Sequence, residues 1–132
     1  MSVSPVSHMV FVLAVTADPY AVCVRLAGDI DLTAEPDLAR LADNLATTRC
    51  PVVHIDVHLV TFAGSTLINF LFRLARRLPG HTSMTVCRPD AMTRRLIELT
   101  GVDQVALVRA DLPADWTAPP ALKRRTGAGP LA

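Results

Sequence analysis

The segment from Pro51 to Val57 constrains the fold most strongly, because four of its seven residues are β-branched and apolar. Val52, Val53, Ile55 and Val57 leave little alternation between apolar and polar positions. A strand of this kind is buried on both faces, as the strands of a parallel sheet are. Parallel strands need crossover connections, which are usually helices. The segment therefore predicts an α/β domain in which helices cover a mostly parallel sheet.

Four further strand-like runs accompany this one. The first two flank the turn signal Asp18-Pro19 and are predicted to pair as a hairpin. We expect Gly28 to break the second strand and residues 29–32 to follow as a short edge or continuation. The predicted strands are Met9–Thr16, Ala21–Leu26, Pro51–Val57, Thr82–Cys87 and Val105–Val108.

Two amphipathic helices are predicted, one before the central strand in the sequence and one after it. The first follows Thr33, which is placed to cap it, with Pro36 in its first turn. The second begins at about Ser65 and ends near Leu78, before a Pro-Gly pair. Each places its apolar residues at helical spacing, so each is expected to bury one face against the sheet.

A third helix is predicted to begin at Pro89 and to end at Gly101, a favourable carboxy-terminal cap. The residues expected to face inward are Met92, Leu96, Ile97 and Leu99. The order β-β-α-β-α-β-α-β predicts a mixed, mostly parallel sheet of about five strands packed with three to four helices.

Length and composition favour one domain. The chain has 132 residues and a net charge of +1, which gives no basic footprint for direct nucleic-acid binding. We expect the domain to span residues 1–111 and the Pro/Gly-rich segment 112–132 to be a disordered tail. No apolar run approaches the length of a membrane span, and the first basic residue, Arg25, comes too late for a signal peptide.

The cysteines and histidines predict neither disulfides nor a metal site. Cys23, Cys50 and Cys87 are odd in number and far apart, which favours a reduced, cytoplasmic protein. His54 and His58 are four residues apart on a segment predicted as strand and loop, where that spacing does not converge on a metal. We expect no cofactor.

Two enzyme hypotheses can be drawn from the sequence. Asp29-x-Asp31-x-Thr33 has the spacing of a small phosphohydrolase, but that chemistry also needs a lysine in the fold and a later acidic pair. The single lysine, Lys123, lies in the tail, and no acidic pair follows.

A hydrolytic set from Ser65, His54 or His58, and Asp56 lacks the usual Gly-x-Ser-x-Gly turn around the serine. We therefore expect a binding protein without catalytic residues.

Ser65 stands where the loop after the central strand turns into a helix. The first N–H groups of a helix have no internal partner, and the dipole there is positive. A serine at this point can cap the helix, and it can also carry a phosphate at a site that tolerates the added anion. The proposed function depends on which role Ser65 has.

Three segments together resemble the STAS domain, the family of bacterial anti-sigma factor antagonists. Val24–Asp31 resembles the family's Leu-x-Gly-Glu-Leu/Ile-Asp strand and turn, and Val53–Phe62 resembles its central Val-Leu-Asp-Leu-x-x-Val-x-Phe strand. Met92–Gly101 resembles its last core helix, which commonly ends in Thr-Gly or Ser-Gly. The resemblance covers about two thirds of the chain, in the right order.

The resemblance implies a phosphorylation switch. In the family, the loop after the central strand usually reads Asp-Ser-Ser/Thr-Gly-Leu, and a partner that is both anti-sigma factor and serine kinase phosphorylates its first serine. Ser65 matches that serine, Thr66 matches the second hydroxyl and is the less favoured acceptor, and Gly64 and Leu67 replace the aspartate and the glycine. The residues expected to contact the partner are Asp29, Asp31, Gly64, Ser65, Thr66 and Asn69.

The resemblance thus predicts an anti-sigma factor antagonist, present as a monomer or weak homodimer, that phosphorylation at Ser65 switches off. The replaced aspartate removes a charge that the kinase would recognise, and Leu67 places a side chain where backbone would approach a partner. One alternative is therefore a STAS module that is never phosphorylated and serves as a scaffold or ligand-binding subunit. The second alternative is the phosphohydrolase that uses Asp29 and Asp31.

Overall fold

The structure is a computed structural model that describes residues 9–15, 21–114 and 116. Its strands form one five-stranded sheet in the order β1-β2-β3-β4-β5. The strands are β1 (Met9–Val15), β2 (Ala21–Asp29), β3 (Val52–Phe62), β4 (Ser83–Cys87) and β5 (Leu107–Arg109).

Strands β2 to β5 run parallel, and β1 pairs antiparallel with β2. The predicted opening hairpin and mixed sheet are therefore confirmed. In the register of the sheet, Arg25 of β2 lies beside Asp56 of β3, which lies beside Cys87 of β4. Neighbours in register share one face of a sheet, so these three side chains lie on the same face.

Three helices pack on the opposite face. They are α1 (Glu35–Leu45), α2 (Ser65–Arg77) and α3 (Ala91–Thr100). Their inward residues form one core with the alternate strand positions, for example Val24, Ile55 and Val86. A connection between neighbouring parallel strands is right-handed in nearly all proteins, which places successive crossover helices on one face.

Two strands are longer than the sequence predicted. Gly28 does not break β2, which continues to Asp29; instead the glycine takes a left-handed backbone (φ 85°) where the register with β3 shifts. A glycine can accommodate such a bulge without ending the strand. Strand β3 continues beyond Val57 to Phe62, since β2 still pairs with it there after β4 has ended.

The helix starts also differ from expectation. Thr33 does not cap α1; it lies in a short 3-10 helix (Leu32–Ala34) whose N-cap is Asp31. Helix α3 begins at Ala91 rather than Pro89, because Asp90 accepts a hydrogen bond from the Thr93 amide at 2.8 Å. The predicted cap at Gly101 is confirmed, with a left-handed φ of 88°.

The inward face of α3 was predicted wrongly in part. Ile97 is fully buried and Leu96 is half-buried against the core, but Met92 and Leu99 are 76% and 71% exposed. The helix has a second apolar stripe, and the sheet covers only the one that contains Ile97.

Most of the predicted tail, residues 115 and 117–132, lies outside the described residues.

Candidate functional site

Ser65 is the first residue of α2 and is exposed to solvent. Strand β3 ends at Phe62, so only Ala63 and Gly64 separate the end of a central parallel strand from this helix. The hydroxyl therefore stands at the edge of the sheet where the parallel strands end, at the positive end of a 13-residue helix.

Ser65 does not cap the helix. The N-cap position is Gly64, and no side chain there accepts a hydrogen bond from the first turn. Gly64 has φ −152° and ψ −144°, so its φ is not left-handed, and an added Cβ would meet the Phe62 ring at an ordinary 3.5 Å. The serine hydroxyl is therefore not needed to cap the helix.

Asp29 is held at the same edge. Its carboxylate accepts a hydrogen bond of 2.6 Å from the Thr61 hydroxyl, and the Ile30 amide donates to the Phe62 carbonyl at 3.0 Å. These bonds join the end of β2 to the end of β3. Asp29 is exposed, so its remaining acceptor capacity faces solvent.

Asp31 has a local structural role. Its Oδ1 accepts hydrogen bonds from the Thr33 amide (3.0 Å) and the Thr33 hydroxyl (2.6 Å), which fixes the start of the 3-10 helix. The two carboxylates of the phosphohydrolase hypothesis therefore both serve to order the loops at this edge.

Two large apolar side chains are exposed beside these polar groups. Leu32 is 71% exposed and Phe62 is 54% exposed. Together with Asp29, Gly64 and Ser65 they define a surface that we name the Ser65 edge. A mixed surface of apolar and polar side chains is typical of a protein-binding site.

The other predicted contact residues lie along α2. Asn69 is exposed one turn after Ser65, and Thr66 is half-buried. Leu67, which replaces the glycine of the family pattern, is fully buried in the core. The prediction that the Leu67 side chain lies where a partner would approach is wrong, because the side chain points into the protein.

A buried ionic cluster that was not predicted lies on the other face of the sheet. Asp56 is fully buried and pairs with Arg25 (2.9 Å) and Arg88 (2.8 Å). Its carboxylate also accepts the His58 amide at 3.1 Å. Burial alone would raise the pKa of Asp56, but the hydrogen bonds from Arg88, from the His58 amide and from Arg25 outweigh it and hold that pKa below its usual value.

An unusual backbone conformation accompanies this cluster. Arg88 has a left-handed φ of 58°, which is rare for a residue with a side chain, and its amide donates to the Arg109 carbonyl at 2.7 Å. The guanidinium of Arg25 lies 5.3 Å from the centre of the Trp116 ring, a cation–π distance. The cluster joins β2, β3 and β4 to Trp116.

One signal could have revealed the cluster. Arg25 and Asp56 are charged residues inside otherwise apolar strands, and a buried charge needs a partner. Beside it, burial raises the pKa of Cys87 to about 12, so this thiol stays protonated at neutral pH.

The hydrolytic Ser/His/Asp set is not assembled. His54 and Asp56 are buried on the face of the sheet that carries Arg25, whereas α2 packs on the opposite face. Ser65 is therefore separated from them by the sheet itself.

The described residues offer neither a metal-binding cluster nor a membrane-spanning helix. Within the described ranges, no group of three or more His, Cys, Asp and Glu side chains is arranged to hold a metal ion. None of the helices in that part of the chain combines the length and the apolar character needed to cross a membrane.

Comparisons with known proteins identify the class of domain. The model of the family described as "Mlab, STAS domain" matches residues 13–109. The chain therefore belongs to the STAS domain family, and its mixed α/β sheet with three helices is the fold of that family. A search of curated protein sequences gives no significant match.

Solved structures agree with this assignment. The chain is similar to an anti-sigma factor antagonist from Mycobacterium paratuberculosis, with 26% identity and a TM-score of 0.72 over 84% of this chain and 92% of that one. It is also similar to the anti-sigma factor antagonist SpoIIAA in its unphosphorylated form, with 17% identity and a TM-score of 0.61 over 74% of this chain and 86% of that one. For the Bacillus cell fate determinant SpoIIAA in its phosphorylated form, identity is 15% and the TM-score is 0.58 over 74% and 89%.

Proposed function

We propose that this protein is an anti-sigma factor antagonist that binds an anti-sigma factor with serine kinase activity and is released when that kinase phosphorylates Ser65. The observation that supports this most is the exposed Ser65 hydroxyl, which starts α2 without capping it. The likeness to solved anti-sigma factor antagonists supports the same role. The protein and its partner would act in the cytoplasm, where sigma factors meet RNA polymerase.

In the unmodified state, the partner would cover the Ser65 edge. Leu32 and Phe62 supply the apolar contact, and each is more than half exposed in the free protein. Asp29 adds a carboxylate at the rim of the contact, where charged groups affect specificity and association rate more than affinity. Asn69 extends the contact one turn along α2.

Phosphorylation would change the charge of this surface at its centre. A phosphoserine adds about −1.5 to −2 charge at neutral pH. The amino terminus of α2 stabilises an anion within this protein, so the fold survives the modification. A partner that buries Phe62 would have to desolvate the phosphate, which is costly, so it dissociates.

An alternative function is a STAS module that holds its partner constitutively. Gly64 favours it, because the family aspartate is absent and the kinase therefore finds one negative charge fewer beside Ser65. In this case the Ser65 edge is still the binding surface, and the hydroxyl is a contact rather than a switch.

A phosphorylation assay separates the two. The protein is incubated with anti-sigma factor kinases of its host and Mg-ATP, and its intact mass is measured. We expect the gain of one phosphoryl group, lost in Ser65→Ala and kept in the matched control Thr66→Val. Tight binding with no mass gain would support the constitutive module.

A further inference from the structure

Helices α2 and α3 leave an apolar groove between them on the outer surface. Arg77 of α2 forms an ion pair of 2.8 Å with Asp43 of α1, so the side of α2 that carries Arg77 faces α1. Phe72 is about 140° away around the helix, at 100° per residue, and so faces the other neighbour, α3. It is half-buried against the core.

The facing side of α3 carries the second apolar stripe. Arg94 and Glu98 line a cavity with Leu107 of β5, so that side of α3 faces β5. Met92, Leu96 and Leu99 lie on the other shoulder, toward α2, at the i, i+4 and i+7 positions. Since Met92 and Leu99 are more than 70% exposed, this shoulder is uncovered in the free protein.

The rim of the groove is basic. Arg76 is exposed on the outer face of α2, about 40° around the helix from Phe72, and Arg95 is exposed on the outer face of α3. Within the described ranges, neither of these two arginines has an ion-pair partner, whereas Arg77 and Arg88 do. The nearby Asp90 is engaged as the cap of α3, and Glu98 faces the cavity beside β5.

We infer that this groove, which we name the α2/α3 groove, binds an amphipathic helix of a partner protein, with acidic residues flanking the apolar face of that helix. The stripe from Met92 to Leu99 spans about two helical turns, the length over which a bound helix presents its i, i+3/i+4 and i+7 anchors. The guanidinium groups of Arg76 and Arg95 select acidic flanks by charge complementarity. The inference goes beyond the proposed function, since the groove can hold such a helix whether or not Ser65 is a kinase substrate.

Two designed peptides of about 16 residues, long enough to form helices, test this directly. Both carry the same leucine stripe, one flanked by glutamate and one by lysine. Binding to isotope-labelled protein is followed by chemical-shift changes and by fluorescence anisotropy. We expect the acidic peptide to bind and to perturb Phe72, Met92 and Leu99, and the basic peptide to bind at least about tenfold more weakly.

Variants locate the contact. Met92→Gln with Leu99→Gln, and separately Arg76→Gln with Arg95→Gln, should each weaken binding of the acidic peptide by about tenfold or more. Val105→Gln with Leu107→Gln, which changes exposed apolar residues on the β5 side, is the matched control and should leave binding unchanged.

Three outcomes would overturn the inference. They are no binding of the acidic peptide, equal binding of both peptides, and shift changes that map elsewhere. Self-association of the free protein that is lost in the Met92/Leu99 variant would show that a second copy fills the groove instead. Because the peptides test unphosphorylated protein and need no kinase, failure here leaves the Ser65 experiment unaffected.

Discussion

The buried ionic cluster predicts a large and specific loss of stability when its carboxylate is neutralised. Asp56→Asn keeps the size and shape of the side chain but leaves two guanidinium groups facing a neutral amide. Asp56 is fully buried, whereas the side chains of Arg25 and Arg88 are 19% and 28% exposed. Removing one partner of a buried pair costs about 3–5 kcal/mol, and the partial access of water to both arginines places this variant near the lower end, at about 3 kcal/mol.

Urea denaturation monitored by circular dichroism measures the loss. A domain of this size has a free energy of unfolding of about 5–15 kcal/mol, so the midpoint should fall substantially while the variant still folds. Asp111→Asn is the matched control, because Asp111 pairs with Arg109 while 76% exposed. Its effect should stay within about 0.5 kcal/mol. An Asp56→Asn variant as stable as the control would refute the argument.

Wild type and Asp56→Asn should also differ in how their stability depends on pH, in a direction that can be predicted. The pKa of Asp56 is lowered in the folded state, chiefly by hydrogen bonds that overcome the effect of burial. Its contribution is therefore complete above the unfolded pKa, which is about 3.9, and is lost as pH falls through the folded value. The stability gap between wild type and Asp56→Asn should be constant from neutral pH to about 5 and should narrow below that. A gap that widened in acid would contradict the assignment.

Three further predictions concern single residues. Gly64→Asp should stabilise the protein by a few tenths to about 1 kcal/mol, because an added Cβ meets the Phe62 ring only at ordinary contact distance and the carboxylate can cap α2; thermal unfolding that shows a loss would contradict this. Leu67→Gly, which restores the family residue, should cost about 3–5 kcal/mol because Leu67 is fully buried, and urea denaturation equal to wild type would show that the side chain is not in the core. Cys87, with its pKa raised to about 12 by burial, should resist iodoacetamide at pH 8 in the native state and react in urea, as peptide mapping can determine; rapid native labelling would refute the burial argument.

The sequence predicted the framework because its signals were redundant. The run from Val52 to Val57 is rich in the β-branched apolar residues of a buried strand, and α2 has a single well-defined apolar stripe. Each indicated the same layered fold, and the structure confirms it. The position of Ser65 at the start of α2 followed from the same two elements.

The predictions that were wrong concern places where the sequence allows two local structures about equally well. Helix α3 has two apolar stripes, and periodicity does not indicate whether Ile97 or Leu99 faces the sheet. Thr33 and Asp31 are both good caps, and the hydrogen bonds that favour Asp31 depend on how the end of β2 joins β3. Neither decision can be made without the neighbouring elements.

The Asp56 cluster shows how far tertiary contacts can be predicted from the sequence. Parallel pairing of β2 with β3 could suggest that Arg25 lies beside Asp56 once the register is known. Arg88 reaches the same carboxylate only because its backbone turns left-handed after β4. No spacing in the sequence predicts that turn for a non-glycine residue.

The proposed switch requires Ser65 to be an exposed contact that a phosphate disables. Its most direct test is the affinity of one anti-sigma factor partner for the unmodified protein and for the same protein phosphorylated at Ser65, by titration calorimetry. We predict tight binding of the unmodified form, unchanged within a few-fold in Ser65→Ala, and a loss of about a hundredfold or more on phosphorylation, as expected when a charge must be desolvated at an interface. Equal affinity of the two forms would contradict the account.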